Sequence, residues 1–381
     1  MDGPVSLTTR IMRRAEEISP EEWNVLIPDT LKGYDLFRSL DSCGIEGISF
    51  YYIVVYRKNV PAGIAPCFLM NYRLDTSIDG PLKNFTNKIK KAFPSMFDLR
   101  GLFCGSILCE GKIGIMDSLR EPFVKTILQC MENIAKEESA SMLVFKDFFA
   151  NYAKILDPLL KEGFYKLNSY PSVKMNLNFT SFDEYMNTLS HSSKDGLKRK
   201  LKKAERKGNI ELEMPDNIDG LLDVFYGLYS QTFSKSNIQF QKVPKDFFTE
   251  VYRNLKSRVK YFLWRIDGKP VGFSFCLVSE SKFINVHIGM DYSVAYEYSL
   301  YFIMFRDQLN WCLKNGIKEY HSGEFAYEAK KRLDFAFIPK FFYVKHLNKR
   351  VNPFFRLLCM FLQPENFDGV LKRMKSRYLP R

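Results

Sequence analysis

The strongest pattern along the chain is a pair of β-rich runs, Ser49–Arg57 (SFYYIVVYR) and Pro61–Met70 (PAGIAPCFLM), on either side of Lys58-Asn59. Aromatic and β-branched residues flanking a two-residue turn predict an antiparallel hairpin. Ahead of it a strand is expected over Leu7–Ile18. A helix then follows, with Ser19 as N-cap, Pro20 in its first position and Glu22 reaching back in a capping box. A second helix is expected over Thr30–Asp41. Beyond the hairpin the pattern predicts a helix over Leu119–Glu138, a strand over Met142–Lys146, a helix over Phe149–Lys161 and a strand over Phe164–Leu177.

A similar order returns after Gly208. Strand Asn209–Met214 and helices Ile218–Phe233 and Pro244–Ser257 lead into Lys260–Ser279 (KYFLWRIDGKPVGFSFCLVS), which reads as another hairpin. Strand Lys282–Met290, helix Tyr298–Lys314, strand Ile317–His321, a helical turn over Tyr327–Leu333 and strand Phe341–Leu347 complete the series. At an offset of 209 residues the two hairpins align: Tyr52 falls on Tyr261, Pro61 on Pro270, Gly63 on Gly272, Cys67 on Cys276, and Lys58-Asn59 on Asp267-Gly268. The shared order of elements points to duplication, hence two α/β units of similar design.

Length and composition fit that reading. The chain has 381 residues, 46% hydrophobic and 26% charged, enough for about two cored domains. No apolar run approaches the roughly 18 residues of a membrane-spanning helix; the nearest, Pro353–Leu362, is short and interrupted by Arg356. The opening residues carry no apolar run after their charges, so a secretory signal is not expected. Eight scattered cysteines without a C-x2-C pair, and only four histidines, argue against a structural zinc and for reduced thiols in a cytosol. No metal is expected.

Charge sharpens the picture. The net charge of +13 is concentrated in two places: Lys194–Lys207 carries +6 and Lys340–Arg381 carries +8, leaving the remainder near −1. The first follows Ser192-Ser193 and favours a helix, with Leu197, Leu201 and Ala204 as a narrow apolar edge. The second mixes its cations with Phe354, Phe355, Leu357, Leu358, Met360, Phe361 and Leu362. This pattern suits either an anionic membrane surface or a helix docked on the body of the protein. Two local anionic contacts are expected rather than a wrapped nucleic acid.

Three stretches carry a family resemblance. Leu189–Gly208 (LSHSSKDGLKRKLKKAERKG) looks like a joint of the form L-S-x-x-x-R-x-x-L-[KR]-[KR]-A. Leu263–Leu277 (LWRIDGKPVGFSFCL) is like a central hairpin. Gly316–Phe335 (GIKEYHSGEFAYEAKKRLDF) looks like a strand ending in G-x-x-x-Y-K-x-x-[FW], matched by Gly323 and Tyr327. In this order they resemble the GNAT acyltransferase superfamily, and in tandem its FemAB-like branch, which includes peptidoglycan-bridge peptidyltransferases and CelD-type acetyltransferase-like proteins. There are two departures. The Lys after the Tyr is Glu328 here, with Lys330 and Lys331 nearby, and the acyl-CoA loop [QR]-x-x-G-x-[GA] is replaced by Met290–Ser299 (MDYSVAYEYS) without a glycine.

The resemblance implies an α/β fold of two tandem GNAT-like units, mixed central sheets flanked by helices, over residues 1–178 and 179–381. They would face each other across a cleft, joined by the basic helix 194–207, with a basic-apolar tail over 348–381. It implies acyl transfer from acyl-CoA, as co-substrate, to an amine or hydroxyl of a small-molecule or lipid-linked acceptor. The implied donor site is the turn before the helix near Tyr298: Asp291, Tyr292, Ser293, Val294 and Ser299. Small residues there allow close approach, and a helix N-terminus offers amides to a pyrophosphate; the plain alternative is an ordinary strand–helix turn. Glu324 is a candidate base and Tyr327 a candidate acid, since both follow a strand end. A surface turn with Tyr327 in the core is the competing reading. His287 and Asp291 are further candidate bases, His287 against the reading of a core histidine. Lys194, Arg199, Lys200, Lys203, Lys331 and Arg332 are candidate anion contacts, against a solvated helix face. Gly105, Gly111 and Gly114 form a weak phosphate-loop pattern. The alternatives to acyl-CoA transfer are an aminoacyl-tRNA-dependent peptidyltransferase and a non-catalytic lipid- or partner-binding protein. The expected location is cytoplasmic, with the tail at the inner membrane face.

Overall fold

The computed structural model describes residues 7–74, 98–116, 120–236 and 239–378, with side chains as far as residue 374. The chain forms two compact units, Met1–Tyr170 with Pro339–Arg381, and Pro171–Ile338.

The first unit is built on β1 (Leu7–Met12), β2 (Ser49–Arg57), β3 (Val60–Arg73), β4 (Asp98–Cys104), β5 (Gly114–Ile115), β6 (Met142–Phe149), β7 (Tyr165–Asn168) and β15 (Lys340–His346). Their order across the sheet is β1-β2-β3-β4-β6-β15-β7, with β5 on β3. Helix α1 (Pro20–Leu26) starts as the sequence predicts, Ser19 Oγ accepting from the Glu22 amide at 3.1 Å. With α2 (Tyr34–Ser42) it covers one face of the sheet. Trp23 and Phe37 lie against Tyr52, ring centroids 5.7 and 6.3 Å away. Helix α3 (Arg120–Glu137) covers the other face, placing Phe123, Ile127, Met131 and Ile134 against Tyr51, Ile53 and Val55. Burial on both faces explains why β2 reads as a continuous apolar run. The expected helix over 149–161 reduces to one turn, α4 (Ala153–Leu156), between 3-10 segments, and stops at Gly163, whose φ is +87°.

The second unit contains β8 (Ser172–Asn176), α5 (Phe182–Thr188), α6 (His191–Lys207), β9 (Ile210–Glu213), α7 (Leu222–Lys235), α8 (Lys245–Leu255), β10 (Val259–Ile266), β11 (Lys269–Val278), β12 (Lys282–Met290), α9 (Leu300–Lys314), β13 (Glu319–Ser322), α10 (Tyr327–Arg332) and β14 (Ala336–Ile338). The sheet order is β14-β8-β13-β12-β11-β10-β9.

These units depart from the linear division at 178/179. The expected strand Phe164–Leu177 is two strands, β7 and β8, paired in different sheets. Pro171, which has no amide to give to a ladder, separates them. The strand expected to close the second unit, β15, instead sits between β6 and β7 of the first. Relative to the expected division at 178/179, each sheet thus holds one strand from the other side: β8 in the second sheet and β15 in the first. The basic helix is also placed differently. It is not a joint: Leu197, Leu201 and Ala204 are buried where α6 packs on α9, wholly inside the second unit. That narrow apolar edge is what seats it.

The duplication is visible in backbone detail. Both hairpins turn through two residues with positive φ, Lys58 (+50°) and Asn59 (+64°) in one, Asp267 (+48°) and Gly268 (+74°) in the other. Both ladders slip at the same aligned step, Val55/Tyr56 and Trp264/Arg265. The aligned glycines lie under the helix that follows: a Cβ on Gly63 would strike Phe123 of α3, and one on Gly272 would press Leu300 and Met304 of α9.

Candidate functional site

In the second unit β12 and β13 run parallel, Lys282–Asn285 opposite Glu319–Ser322. The pairing stops there. β13 ends, while β12 continues to Met290, held on its other edge by β11. The β11–β12 ladder slips once: Phe275 faces His287 and Cys276 faces Asn285, so Val286 is an extra residue, a β-bulge. Asn285 and His287, two apart, therefore turn to opposite faces of the sheet. Asn285 Nδ2 donates to Gln308 Oε1 on α9 at 3.0 Å, and Tyr320 Oη donates to the same oxygen at 2.6 Å. His287 packs among Tyr229 of α7 and Phe247 and Phe248 of α8, at 5.1, 6.2 and 6.1 Å. Val286, His287 and Ile288 are only half-buried. An opening therefore lies between the C-terminal ends of two parallel strands, where open α/β sheets place ligands.

The far wall is the segment after β13. Phe325 and Ala326 hold positive φ, +69° and +51°, a turn costly for non-glycine residues. Lys330 sustains it: its Nζ donates to the carbonyl oxygens of Gly323 and of Glu324, the latter at 3.1 Å. Lys330 is 3% exposed, and burial pushes its ammonium down to about 7 against the opposing pull of the nearby Glu324 carboxylate. Two of its N–H groups are held by these carbonyls in either charge state, and the neutral form keeps a lone pair. Glu324 itself is half-buried.

Tyr327 does not join them. It is 1% exposed, its ring packs on Phe337, and its hydroxyl donates to the Pro171 carbonyl at 2.9 Å. That proton is committed inside the core, so Tyr327 is not placed to protonate a leaving group. His287 is likewise not a base for neutral pH. Burial pushes it down to about 4, and Nε2 is enclosed without a hydrogen-bond partner. The Asp291 carboxylate accepts from the Ser293 amide at 2.9 Å and from its hydroxyl at 2.7 Å, which makes it the organiser of the turn after β12.

That turn does not fit the expected amide cradle for a pyrophosphate. The amides of Val294 and Ala295 donate to Asp291 O, Tyr298 to Val294 O, Ser299 to Tyr296 O and Leu300 to Ala295 O. The Tyr292 and Tyr296 rings lie 6.0 Å apart, tilted at 58° to each other, and Ser299 adopts φ +50° at the start of α9. Cations border the turn instead. Lys203 Nζ reaches Tyr296 O at 3.3 Å, and Lys207 pairs with Glu297 at 2.6 Å. Lys200 lies 3.5 Å over the Phe302 ring, and its ammonium is pushed down by burial and then by Arg332 and Arg199. Lys194 donates to Asn187 Oδ1 at 2.7 Å and Arg332 pairs with Glu328 at 3.2 Å; Arg199 and Lys331 are exposed. Sequence thus found the cations but not the bulge at Val286. Lys330 was visible only as one of two lysines, with Lys331, near the position after Tyr327 where the resemblance expects a Lys and the chain has Glu328.

The matching region of the first unit is closed. Its β3–β4 ladder runs from Cys67 opposite Cys104 to Arg73 opposite Asp98 without a slip. The chain after β4 folds back over the end of β6, the Gly111 amide donating to Asp147 O at 3.0 Å. A Cβ on Gly111 would run into the Lys146 carbonyl, and one on Gly114 into Leu26. These glycines, with Gly105, serve close packing rather than a phosphate. Glu110 is sealed beside them, paired with Lys32 at 2.6 Å; burial raises its carboxyl, but Lys32 and Lys340 overcome that and hold it well below the usual range.

Residues 191–331, which include the bulge, the opening and Lys330, match the family described as Acetyltransferase (GNAT) domain. The second unit is a GNAT domain. The fold of the whole described chain is that of tandem, FemAB-like GNAT proteins. It resembles FemX (TM-score 0.51, 12% identity, 82% of this chain and 91% of that one). It also resembles a tandem GNAT protein from the clavulanic acid biosynthesis pathway (TM-score 0.54, 7% identity, 90% and 98%). A putative 8-amino-7-oxononanoate synthase 2 of Mycobacterium tuberculosis is 24% identical over 325 residues, covering 82% of this chain. The chain spans only 42% of that relative's length. The GNAT unit is of acyltransferase type. Among the described residues, no group of three or more His, Cys, Asp or Glu is placed to hold a metal ion, and no helix is long and apolar enough to cross a membrane.

Proposed function

We propose that the second GNAT unit transfers an acyl group to an amine at the opening between β12 and β13. The observation that carries this is the bulge at Val286, which releases the end of β12 from β13. Its edge amides offer donors to an acyl carbonyl oxygen as negative charge develops there. Neutral Lys330, with Glu324 beside it, takes the proton of the attacking amine. The new C–N bond forms, the bond from carbonyl carbon to carrier breaks, and the proton passes to the departing carrier atom. Amine acceptors, soluble or lipid-linked, are tried first because they must lose a proton to attack, with hydroxyl acceptors beside them.

The donor proposed first is acyl-CoA, in keeping with the description of the matched domain. Its phosphates would fall to side chains such as Lys200 and Lys203 rather than to the amides of residues 290–299. Those inward-turned amides also favour a second reading, an aminoacyl-tRNA donor held by the cations of α6. The test is incubation with a panel of acyl-CoAs and amines, read by thiol release and product mass, with charged tRNA as a parallel arm. Product from the first panel supports acyl-CoA, and product from tRNA alone moves the reading to the second donor. No product in either arm sinks acyl transfer.

A further inference from the structure

Among the described residues, five of the twelve large apolar side chains that stand exposed fall between residues 351 and 361: Val351, Phe354, Leu357, Met360 and Phe361. They belong to α11 (Asn352–Phe361) and the residue before it. The helix is apolar on two sides. Asn352, Phe355 and Cys359 are buried where α11 packs on β15 and β7. Val351, Phe354, Leu357 and Phe361 recur at three- and four-residue spacing on the other side, with Phe354 73% and Leu357 64% exposed. A helix with apolar residues on both faces ordinarily has both covered.

The surroundings say what covers this one. Lys349, Arg350, Arg356, Lys372 and Arg373 are exposed around it. The two acids of the same region are turned inward. Glu365 is 2% exposed and accepts from Asn168 Nδ2 at 2.9 Å. Asp368 caps α12 (Gly369–Tyr378), accepting from the Val370 and Leu371 amides at 2.8 and 3.0 Å. Of the remaining cations of the tail, Lys375, Arg377 and Arg381 lie outside the described side chains. Apolar side chains ringed by cations, with the acids withdrawn, match the layered chemistry of an anionic bilayer, headgroup phosphate above acyl chain. We propose that α11 docks this protein on an anionic membrane surface, Phe354, Leu357 and Phe361 entering the acyl boundary and Lys349, Arg350 and Arg356 meeting the phosphates.

The experiment is co-sedimentation of the full chain with phosphatidylcholine vesicles, with and without about one-third phosphatidylglycerol. The expected result is binding to the anionic vesicles alone. Binding should weaken at least tenfold in F354D/L357D, and R350E/R356E should lower it at low salt and flatten its fall as salt is raised. Both apolar positions are exposed, so the melting temperature should hold, which separates lost docking from lost folding. Equal binding by wild type and variants overturns the proposal. So does a wild-type dimer in solution that F354D/L357D converts to monomer, which would assign the face to a second copy.

Discussion

Lys330 donates through Nζ to the main-chain oxygen of Glu324 at 3.1 Å, while the carboxylate of that same residue favours the charge that burial opposes. Burial wins, and the ammonium is pushed down to about 7. If neutral Lys330 takes the acceptor's proton, the rate rises with pH through a limb near 7. Glu324→Gln removes the charge that favours the ammonium, so the limb moves to lower pH. Lys330→Met abolishes the limb and lowers kcat by about 100-fold or more. A pH profile of kcat for the three proteins decides it; a K330M profile parallel to wild type would confine Lys330 to holding the turn.

The same lysine leaves a mark on stability. Its folded value, about 7, lies below the ordinary lysine value of 10.5, so between these the unfolded chain binds more protons. Stability on its account rises with pH across that window and is lost as pH falls toward 7. Denaturant melts at several pH values should show this slope in wild type and its loss in Lys330→Met.

His287 gives a second window. It is neutral in the folded protein and pushed down to about 4, whereas the unfolded chain titrates near 6.5. Stability therefore falls as pH drops from 6.5 to 4, by up to about 3 kcal/mol. His287→Phe should remove that acid sensitivity and leave kcat within about threefold, since an aromatic box already surrounds the ring. A thousandfold loss of kcat would restore His287 as a base.

Tyr327→Phe removes one buried hydrogen bond, to Pro171, and should cost about 1 kcal/mol with kcat unchanged. Chemical denaturation and steady-state rates measured together distinguish this from a proton donor, whose loss would show in kcat.

The paired glycines predict an asymmetry. A methyl on Gly63 meets the Phe123 ring head-on, whereas one on Gly272 meets the ends of Leu300 and Met304 at 3.3 Å. Gly63→Ala should therefore cost about 1–3 kcal/mol and Gly272→Ala less. Equal costs in thermal melts would contradict the packing.

The hairpins, the caps and the long helices were legible because their causes are local: turn residues, N-cap oxygens, runs of apolar residues. The alignment of the two hairpins, turn on turn and Gly63 on Gly272, was legible too, whereas the slips at Val55/Tyr56 and Trp264/Arg265 were not. What stayed hidden depends on partners distant in sequence. Nothing in Ser172–Asn176 says that it pairs with β13 rather than with its neighbour β7. Nothing around Val286 marks an extra residue, because a bulge is defined against the opposite strand. Tyr327 and Lys330 share a short helix, and only the fold separates a tyrosine spent on a core carbonyl from a lysine holding the turn beside the opening.

The exchange of β8 and β15 has a consequence for how the protein is made. Among the described strands β7 pairs with Lys340–His346, so the first sheet stays incomplete on the ribosome until β15 has been made, about 170 residues later. β8, by contrast, emerges early and waits for β13 and β14. A cut at the midpoint of the sequence leaves each sheet one strand short, whereas residues 171–338 carry every strand of the second sheet and are the piece that can be moved whole.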